Sequence, residues 1–101
     1  VKEIFGDKFV TGLRFAEGGE LGLDGIFVEI GADPNSGLVE SLGVKLNDKK
    51  EIIIDSESRT NIRGLYAAGD VANRRFKQAI TGAAEGVIAA FSAYEDINRP
   101  V

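Results

Sequence analysis

The stretch of the sequence most suggestive of chemistry is the pair Gly69-Asp70, which follows a short apolar run over residues 65–68. The run ends in two alanines, and small residues at the carboxyl end of a buried strand let a bulky ligand lie against the backbone. An aspartate there accepts hydrogen bonds from the hydroxyls of a sugar or polyol. The structural alternative stays open, in which Asp70 only caps the turn between a strand and a helix.

A long helix is predicted from about Arg75 to about Ile97. Its N-terminus offers N–H groups and a partial positive charge to an oxygen that carries negative charge. Gly82 and Gly86 lie one turn apart, and each costs about 1 kcal/mol relative to alanine. They indicate packing against a sheet or the close approach of another backbone or a flat ligand. Six apolar residues recur at steps of three and four, which predicts a stripe that faces a core. These are Phe76, Ile80, Ala83, Val87, Phe91 and Tyr94.

Strand patterns dominate residues 1–31. Alternation of apolar and polar residues predicts a three-stranded meander, with a two-residue turn at Gly6-Asp7. Its strands are expected within residues 1–5, 9–15 and 21–23. The nearly continuous apolar run 26–30 is typical of a strand that is covered on both faces.

The middle of the chain begins with a segment rich in residues that break regular structure, residues 31–36, interpreted as a crossing or hinge. Ser36 is expected to cap a short helix that runs to Ser41 and is stopped by Gly43. Residues 44–46 and 51–55 predict a hairpin. Strands and helices in this order place the chain in the α/β class.

Composition excludes several kinds of chemistry. The 101 residues contain no cysteine and no histidine, which rules out a thiolate nucleophile, a redox dithiol and the commonest metal ligands within them. We therefore expect no catalytic and no metal-binding residue. The net charge of −4 argues against nucleic acid or an anionic membrane as a partner.

The order of these features resembles one family. A strand-ending Gly-x-x-Pro-Asn-Ser, a hairpin, Gly-Leu-Tyr-Ala-Ala-Gly-Asp-Val, and then Phe-Lys-Gln-Ala opening an Ala/Gly-rich helix are similar to the C-terminal third of low-molecular-weight thioredoxin reductases. They are also similar to the flavoprotein component of alkyl hydroperoxide reductases. The likeness extends from about Lys8 to about Ile97. Arg63 departs from it, because proline is usual at that position.

The resemblance implies a partial two-dinucleotide-binding flavoprotein fold. Residues 1–31 would then be the C-terminal strands of the NAD(P)H-binding domain, and residues 32–37 the interdomain connection. Residues 38–101 would be the C-terminal part of the FAD-binding domain.

The resemblance also implies the cofactor-binding residues. Asp70 would bind the ribityl or phosphate-linked hydroxyls of FAD, and Gly69 would permit its close approach. Gln78 and Ala79 would lie at the start of the helix under the pyrimidine edge of the flavin. Lys77 would add positive charge where reduced flavin carries negative charge. The structural alternatives are a solvated Lys77 and an exposed, purely polar Gln78, whereas Tyr66 is expected to pack in the core.

The implied parent is an NADPH-oxidising, FAD-dependent disulfide reductase that is cytoplasmic and dimeric and acts on a thioredoxin-like protein. Neither Gly-rich nucleotide fingerprint nor a Cys-x-x-Cys dithiol is present in these 101 residues. We therefore expect a fragment that is inactive without the remainder of the parent chain. Two alternatives are a related flavoprotein such as a ferredoxin–NADP reductase of this architecture, and a non-catalytic remnant or interaction module.

Overall fold

The computed structural model describes residues 1–99, which divide into two units, Val1–Gly31 and a second unit that begins at Ala32. The first unit contains three strands: β1 (Glu3–Gly6), β2 (Val10–Arg14) and β3 (Glu20–Gly22). The second contains the short helix α1 (Gly37–Glu40), a 3₁₀ turn (Gly69–Val71) and the long helix α2 (Ala79–Asn98).

The first unit is an antiparallel sheet in the order β1-β2-β3, so the predicted meander is confirmed. Arg14 lies between Glu3 and Glu20 on the neighbouring strands, and its guanidinium pairs with both carboxylates. The predicted two-residue turn is wrong. The register shifts after Phe5 so that Gly6 pairs with Val10, and the connection takes three residues.

The predicted strand over residues 26–30 is also wrong. This segment is irregular, and three of its apolar side chains, Phe27, Val28 and Ile30, are exposed. Apolar side chains favour burial, but a strand forms only where a neighbour satisfies its N–H and C=O groups. No such neighbour for these residues lies within the described part of the chain.

The core of the second unit is small and surrounds Ile52. Its backbone bridges Leu46 in antiparallel fashion and Ala72 in parallel fashion, so the predicted hairpin is reduced to a single bridge. The predicted strand over residues 65–68 likewise pairs only through the bridge between Arg59 and Tyr66. The buried apolar residues that form the cluster are Val44, Ile52, Ile54, Ala67 and Ala72.

Helix α1 occurs where it was predicted, directly after Ser36. Ser36 is the N-cap residue, as predicted, but its hydroxyl makes no capping hydrogen bond, so the expected side-chain cap is wrong. Gly43 follows the helix with φ of +78°, a left-handed conformation that glycine adopts at low cost and that ends helices.

Helix α2 begins at Ala79, four residues later than predicted. Gln78 is the N-cap and has extended backbone angles. Its N–H donates to the hydroxyl of Thr81 at 3.1 Å, as in a capping box, which fixes the start of the helix at this point. Arg75, Phe76 and Lys77 therefore belong to the loop before the helix.

The face of α2 that contacts the rest of the unit is not the predicted apolar stripe. The contacts of α2 with the preceding loops are made by Gly82, Glu85, Ser92 and Asp96. With 3.6 residues per turn, these positions lie opposite the stripe. Five stripe residues, Phe76, Ile80, Val87, Phe91 and Tyr94, are between 60% and 80% exposed.

Candidate functional site

The 3₁₀ turn Gly69–Val71 carries the predicted aspartate. The chain enters it from Ala68, whose backbone is extended, and turns at Gly69, where φ is +78°. That angle is unfavourable for a residue with a side chain, so the glycine is required by the backbone itself. Asp70 does not cap α2, which begins nine residues later, and the N-cap of the 3₁₀ turn is Ala68.

The turn and helix α2 approach each other through two glycines. A Cβ placed on Gly82 would lie 3.4 Å from the Cα of Gly69. The predicted close approach of a backbone is therefore found at Gly82. At Gly86 a Cβ would have no described neighbour within 4 Å.

Glu85 holds the amide of the turn. One carboxylate oxygen, Oε2, accepts a hydrogen bond from the N–H of Gly69 at 2.8 Å. The other, Oε1, lies 3.7 Å from Nε of Arg74, and the Glu85 side chain is only 15% exposed. A hydrogen bond to an ionised acceptor is stronger than one between neutral groups. Glu85 therefore fixes the Ala68–Gly69 peptide, through which the chain enters the turn.

Lys77 holds the carbonyls of the same segment. Its ammonium donates to the backbone oxygens of Asp70 and Ala72 and lies 2.7 Å from Oε1 of Glu51. Asn47 donates to the other oxygen of Glu51 at 2.6 Å. These hydrogen bonds hold the pKa of Glu51 below its ordinary value, and the bond from Lys77 has the largest effect. The Lys77 ammonium is therefore not simply solvated, and part of its hydrogen-bonding capacity is already used within the chain.

Asp70 and Lys77 line one cavity of about 610 Å³, and the Asp70 carboxylate is exposed. Within residues 1–99 that carboxylate has no hydrogen bond or ion pair. Gln78 and Ala79 are exposed at the start of α2 and are not among the residues that line the cavity. The remaining lining residues are Ala32, Asp33, Pro34, Asn35, Lys49, Glu51 and Val71.

A second polar cluster ties the C-terminal half of α2 to the loop before the turn. Tyr66 donates its hydroxyl to Asp96 at 2.6 Å, and Arg59 donates to both oxygens of the same carboxylate at 3.2 Å. Arg59 and then Tyr66 hold the pKa of Asp96 below its ordinary value, and the bond to Asp96 raises the pKa of Tyr66. These hydrogen bonds join α2 to the loop that contains Arg59 and Tyr66.

Sequence reasoning identified the turn but missed the charged residues that support it. The structure brings Gly69, Asp70 and Lys77 together, whereas Glu85 and Glu51 were not predicted. One signal was present for Glu85. It lies three residues after Gly82 and seven before Ser92, on a helical face of small and polar residues that an amphipathic helix would expose.

No group of three potential metal ligands occurs among the residues that the structure describes. Likewise, no helix in that part of the chain is long and apolar enough to cross a membrane.

Comparisons with known proteins identify relatives across most of the chain. The family model for pyridine nucleotide-disulphide oxidoreductases matches residues 1–86. An alkyl hydroperoxide reductase component of Staphylococcus aureus (strain MRSA252) is 42% identical over 102 residues, covering 96% of this chain and 20% of that protein. Thioredoxin reductase of T. acidophilum has a TM-score of 0.80 at 37% identity and matches 95% of this chain and 34% of its own.

A third similar structure is a ferredoxin-flavin thioredoxin reductase from Clostridium acetobutylicum. Its TM-score is 0.54 at 35% identity, and the match covers 94% of this chain and 31% of that chain. The chain thus spans about a fifth of the length of the curated relative and about a third of each of the two solved structures.

Proposed function

Because the chain belongs to the pyridine nucleotide-disulphide oxidoreductase family, we propose that it is the C-terminal portion of an FAD-dependent disulfide reductase of the thioredoxin reductase type. The relatives are three to five times longer, which supports a parent chain that supplies the remaining domains. This segment contributes part of the flavin site and no acid, base or nucleophile.

One observation carries the proposal: the Asp70 carboxylate is exposed beside a cavity, on a turn whose backbone is held by other charged residues. A carboxylate without an internal partner accepts hydrogen bonds from ligand hydroxyls. Gly69 and Gly82 add no side chain near the turn, so a bulky ligand meets little steric resistance there. These features fit the polyol chain of FAD.

An FAD held there would supply the chemistry of hydride transfer from a nicotinamide and of electron transfer to a disulfide. Asp70 would orient the polyol, and Gln78 and Ala79 would present the N-terminus of α2 to the flavin ring. Lys77 would act mainly through its bonds to the turn, with its charge close to the same cavity. Gly-rich phosphate turns for FAD and NADPH and the reactive dithiol would come from the rest of the parent.

The domain assignment follows from the same proposal. Residues 1–31 would close the NADPH-binding domain, residues 32–37 would form the interdomain connection, and residues 38–101 would complete the FAD-binding domain. The parent would be a cytoplasmic homodimer that reduces a thioredoxin-like protein.

A second candidate differs in the electron donor. One similar structure is named a ferredoxin-flavin thioredoxin reductase, so this segment also resembles a protein whose name includes ferredoxin. A parent of that kind would keep the Asp70 turn but take electrons from reduced ferredoxin.

The test is a reductive titration of the full-length protein under anaerobic conditions. We expect the purified protein to be yellow, with one FAD per chain, and its flavin absorbance to bleach with NADPH. Added thioredoxin disulfide should then restore the absorbance. Bleaching by reduced ferredoxin alone would favour the second candidate. A full-length protein that neither contains nor takes up FAD would contradict the proposal.

A further inference from the structure

The N–H of Gly69, the residue before Asp70, has one described acceptor. That acceptor is the charged side chain of Glu85 on helix α2. Glu85 Oε2 lies 2.8 Å from the N–H of Gly69, sixteen residues earlier in the chain. The carboxylate is itself anchored, because its other oxygen faces Arg74, whose guanidinium donates to the carbonyl of Asp55. An interaction between elements so far apart in sequence can set the position of one relative to the other.

The peptide between Ala68 and Gly69 needs such an anchor. Glycine tolerates both signs of φ, so rotation of this peptide would be inexpensive if its N–H had no partner. The φ of +78° at Gly69 determines the direction in which the following residue leaves the turn. A peptide that rotates would therefore redirect the Asp70 side chain.

The carbonyl side of the turn is held separately. Lys77 bonds the oxygens of Asp70 and Ala72, and the N–H of Ile52 donates to the oxygen of Val71 at 2.8 Å. Loss of Glu85 would thus free the entry to the turn while its exit stays attached. The defect should be local to the residues around Gly69.

We propose that Glu85 is a positioning residue for the flavin site, which holds the Ala68–Gly69 peptide so that the Asp70 carboxylate meets the ligand hydroxyls. This inference rests on the proposed role of Asp70. Glu85 does not contact the ligand; it limits the conformations that binding would otherwise have to select, and such preorganisation increases affinity.

The experiment measures FAD dissociation constants for variants of the full-length flavoprotein. In Glu85→Gln the carboxamide oxygen still accepts a hydrogen bond from the Gly69 N–H. We therefore expect an FAD affinity within about threefold of that of the unsubstituted protein. Glu85→Leu keeps similar bulk but removes the acceptor. Because the half-buried N–H of Gly69 then has no acceptor and the Ala68–Gly69 peptide can rotate, we expect roughly tenfold weaker FAD binding. Glu85→Met serves as a second variant of the same kind if the leucine variant does not fold.

Ser92→Ala is the matched control on the same face of α2. Ser92 is buried, and its hydroxyl donates to the carbonyl of Glu57 at 2.7 Å, about two helical turns beyond Glu85. We expect Ser92→Ala to lower the stability of the apoprotein and leave FAD affinity unchanged. A general weakening of α2 would instead lower affinity in both Ser92→Ala and Glu85→Leu, and would overturn the inference.

The outcomes separate this inference from the proposed function. If Asp70→Asn weakens FAD binding but Glu85→Leu and Glu85→Met bind like the parent, only the positioning role is wrong. If Glu85→Gln is as weak as Glu85→Leu, the hydrogen bond to Gly69 is not what matters, and the inference fails. If the parent binds no FAD, both the inference and the proposed function fail.

Discussion

Gly82 and Gly86 are one helical turn apart, yet the structure gives them different surroundings, which predicts different responses to the same substitution. Glycine to alanine in a helix gains about 1 kcal/mol. Gly86→Ala should show most of that gain in urea unfolding of the 101-residue chain, because its Cβ meets no described atom within 4 Å.

For Gly82→Ala we expect less than half of the gain seen at Gly86, because the added methyl group comes within 3.4 Å of the Cα of Gly69. The neighbouring turn must move to accommodate it, and overpacking offsets the helical benefit. Equal stabilisation by the two substitutions would show that the approach of α2 to the turn is not a constraint.

The lowered pKa of Glu51 predicts that the free energy of unfolding depends on pH in the acid range. Its bond with Lys77, and then that with Asn47, lowers its pKa in the folded state below the ordinary 4.5. The folded state therefore gains stability above pH 4.5, and that gain is lost as the pH falls through the lowered pKa. We expect Glu51→Gln to reduce the acid-induced decrease in the free energy of unfolding, measured by urea titrations between pH 6 and 3.

Glu40→Gln is the control for this effect. Its carboxylate lies 3.7 Å from Lys50 in an exposed pair, and exposed pairs contribute little to stability. The control should keep the acid dependence of the unsubstituted chain. If Glu51→Gln keeps it as well, the Glu51–Lys77 pair does not support the turn through charge.

At the scale of elements, α2 has two opposite faces with different roles. The polar and small face makes the contacts described for the second unit, while the apolar stripe is exposed. Large exposed apolar patches on a protein mark surfaces that become covered in an assembly. In the proposed parent, other parts of the flavoprotein would cover this stripe.

The isolated chain is expected to bury the stripe by self-association. In sedimentation analysis, we expect a mass above the 10.8 kDa of one chain that decreases on dilution. Replacing Val87 and Phe91 with glutamine should shift the chain to the monomer, because both exposed side chains belong to the apolar stripe of α2. Leu38→Gln, at an 85% exposed position on α1, should not. A chain that is monomeric at all concentrations would contradict this interpretation of the stripe.

At the scale of the whole molecule, patterns between near neighbours in sequence predicted the main elements, although the turn after β1 and the first residue of α2 differ from the prediction. The meander of the first unit follows from alternation, and the existence of α2 follows from its helical periodicity. Long-range features were not predictable. The apolar run 26–30 lacks a pairing partner in the described part of the chain, and periodicity does not say which face of α2 meets the turn.

The supporting charges were missed for the same reason. Glu85 is sixteen residues from Gly69, and Glu51 is twenty-six residues from Lys77. Only folding brings these pairs together. The sequence alone therefore does not indicate which distant carboxylate meets which donor.

The central claim is that the Asp70 turn holds FAD, and the most direct test is the FAD dissociation constant of Asp70→Asn in the full-length flavoprotein. Each charge-assisted hydrogen bond to a flavin hydroxyl contributes about 1.5–3 kcal/mol. We therefore predict roughly ten- to a hundredfold weaker binding. The free energy of unfolding of the apoprotein should change by less than about 0.5 kcal/mol, because Asp70 is exposed and does not cap α2. Unchanged FAD affinity in Asp70→Asn would show that the aspartate is structural and would contradict the account.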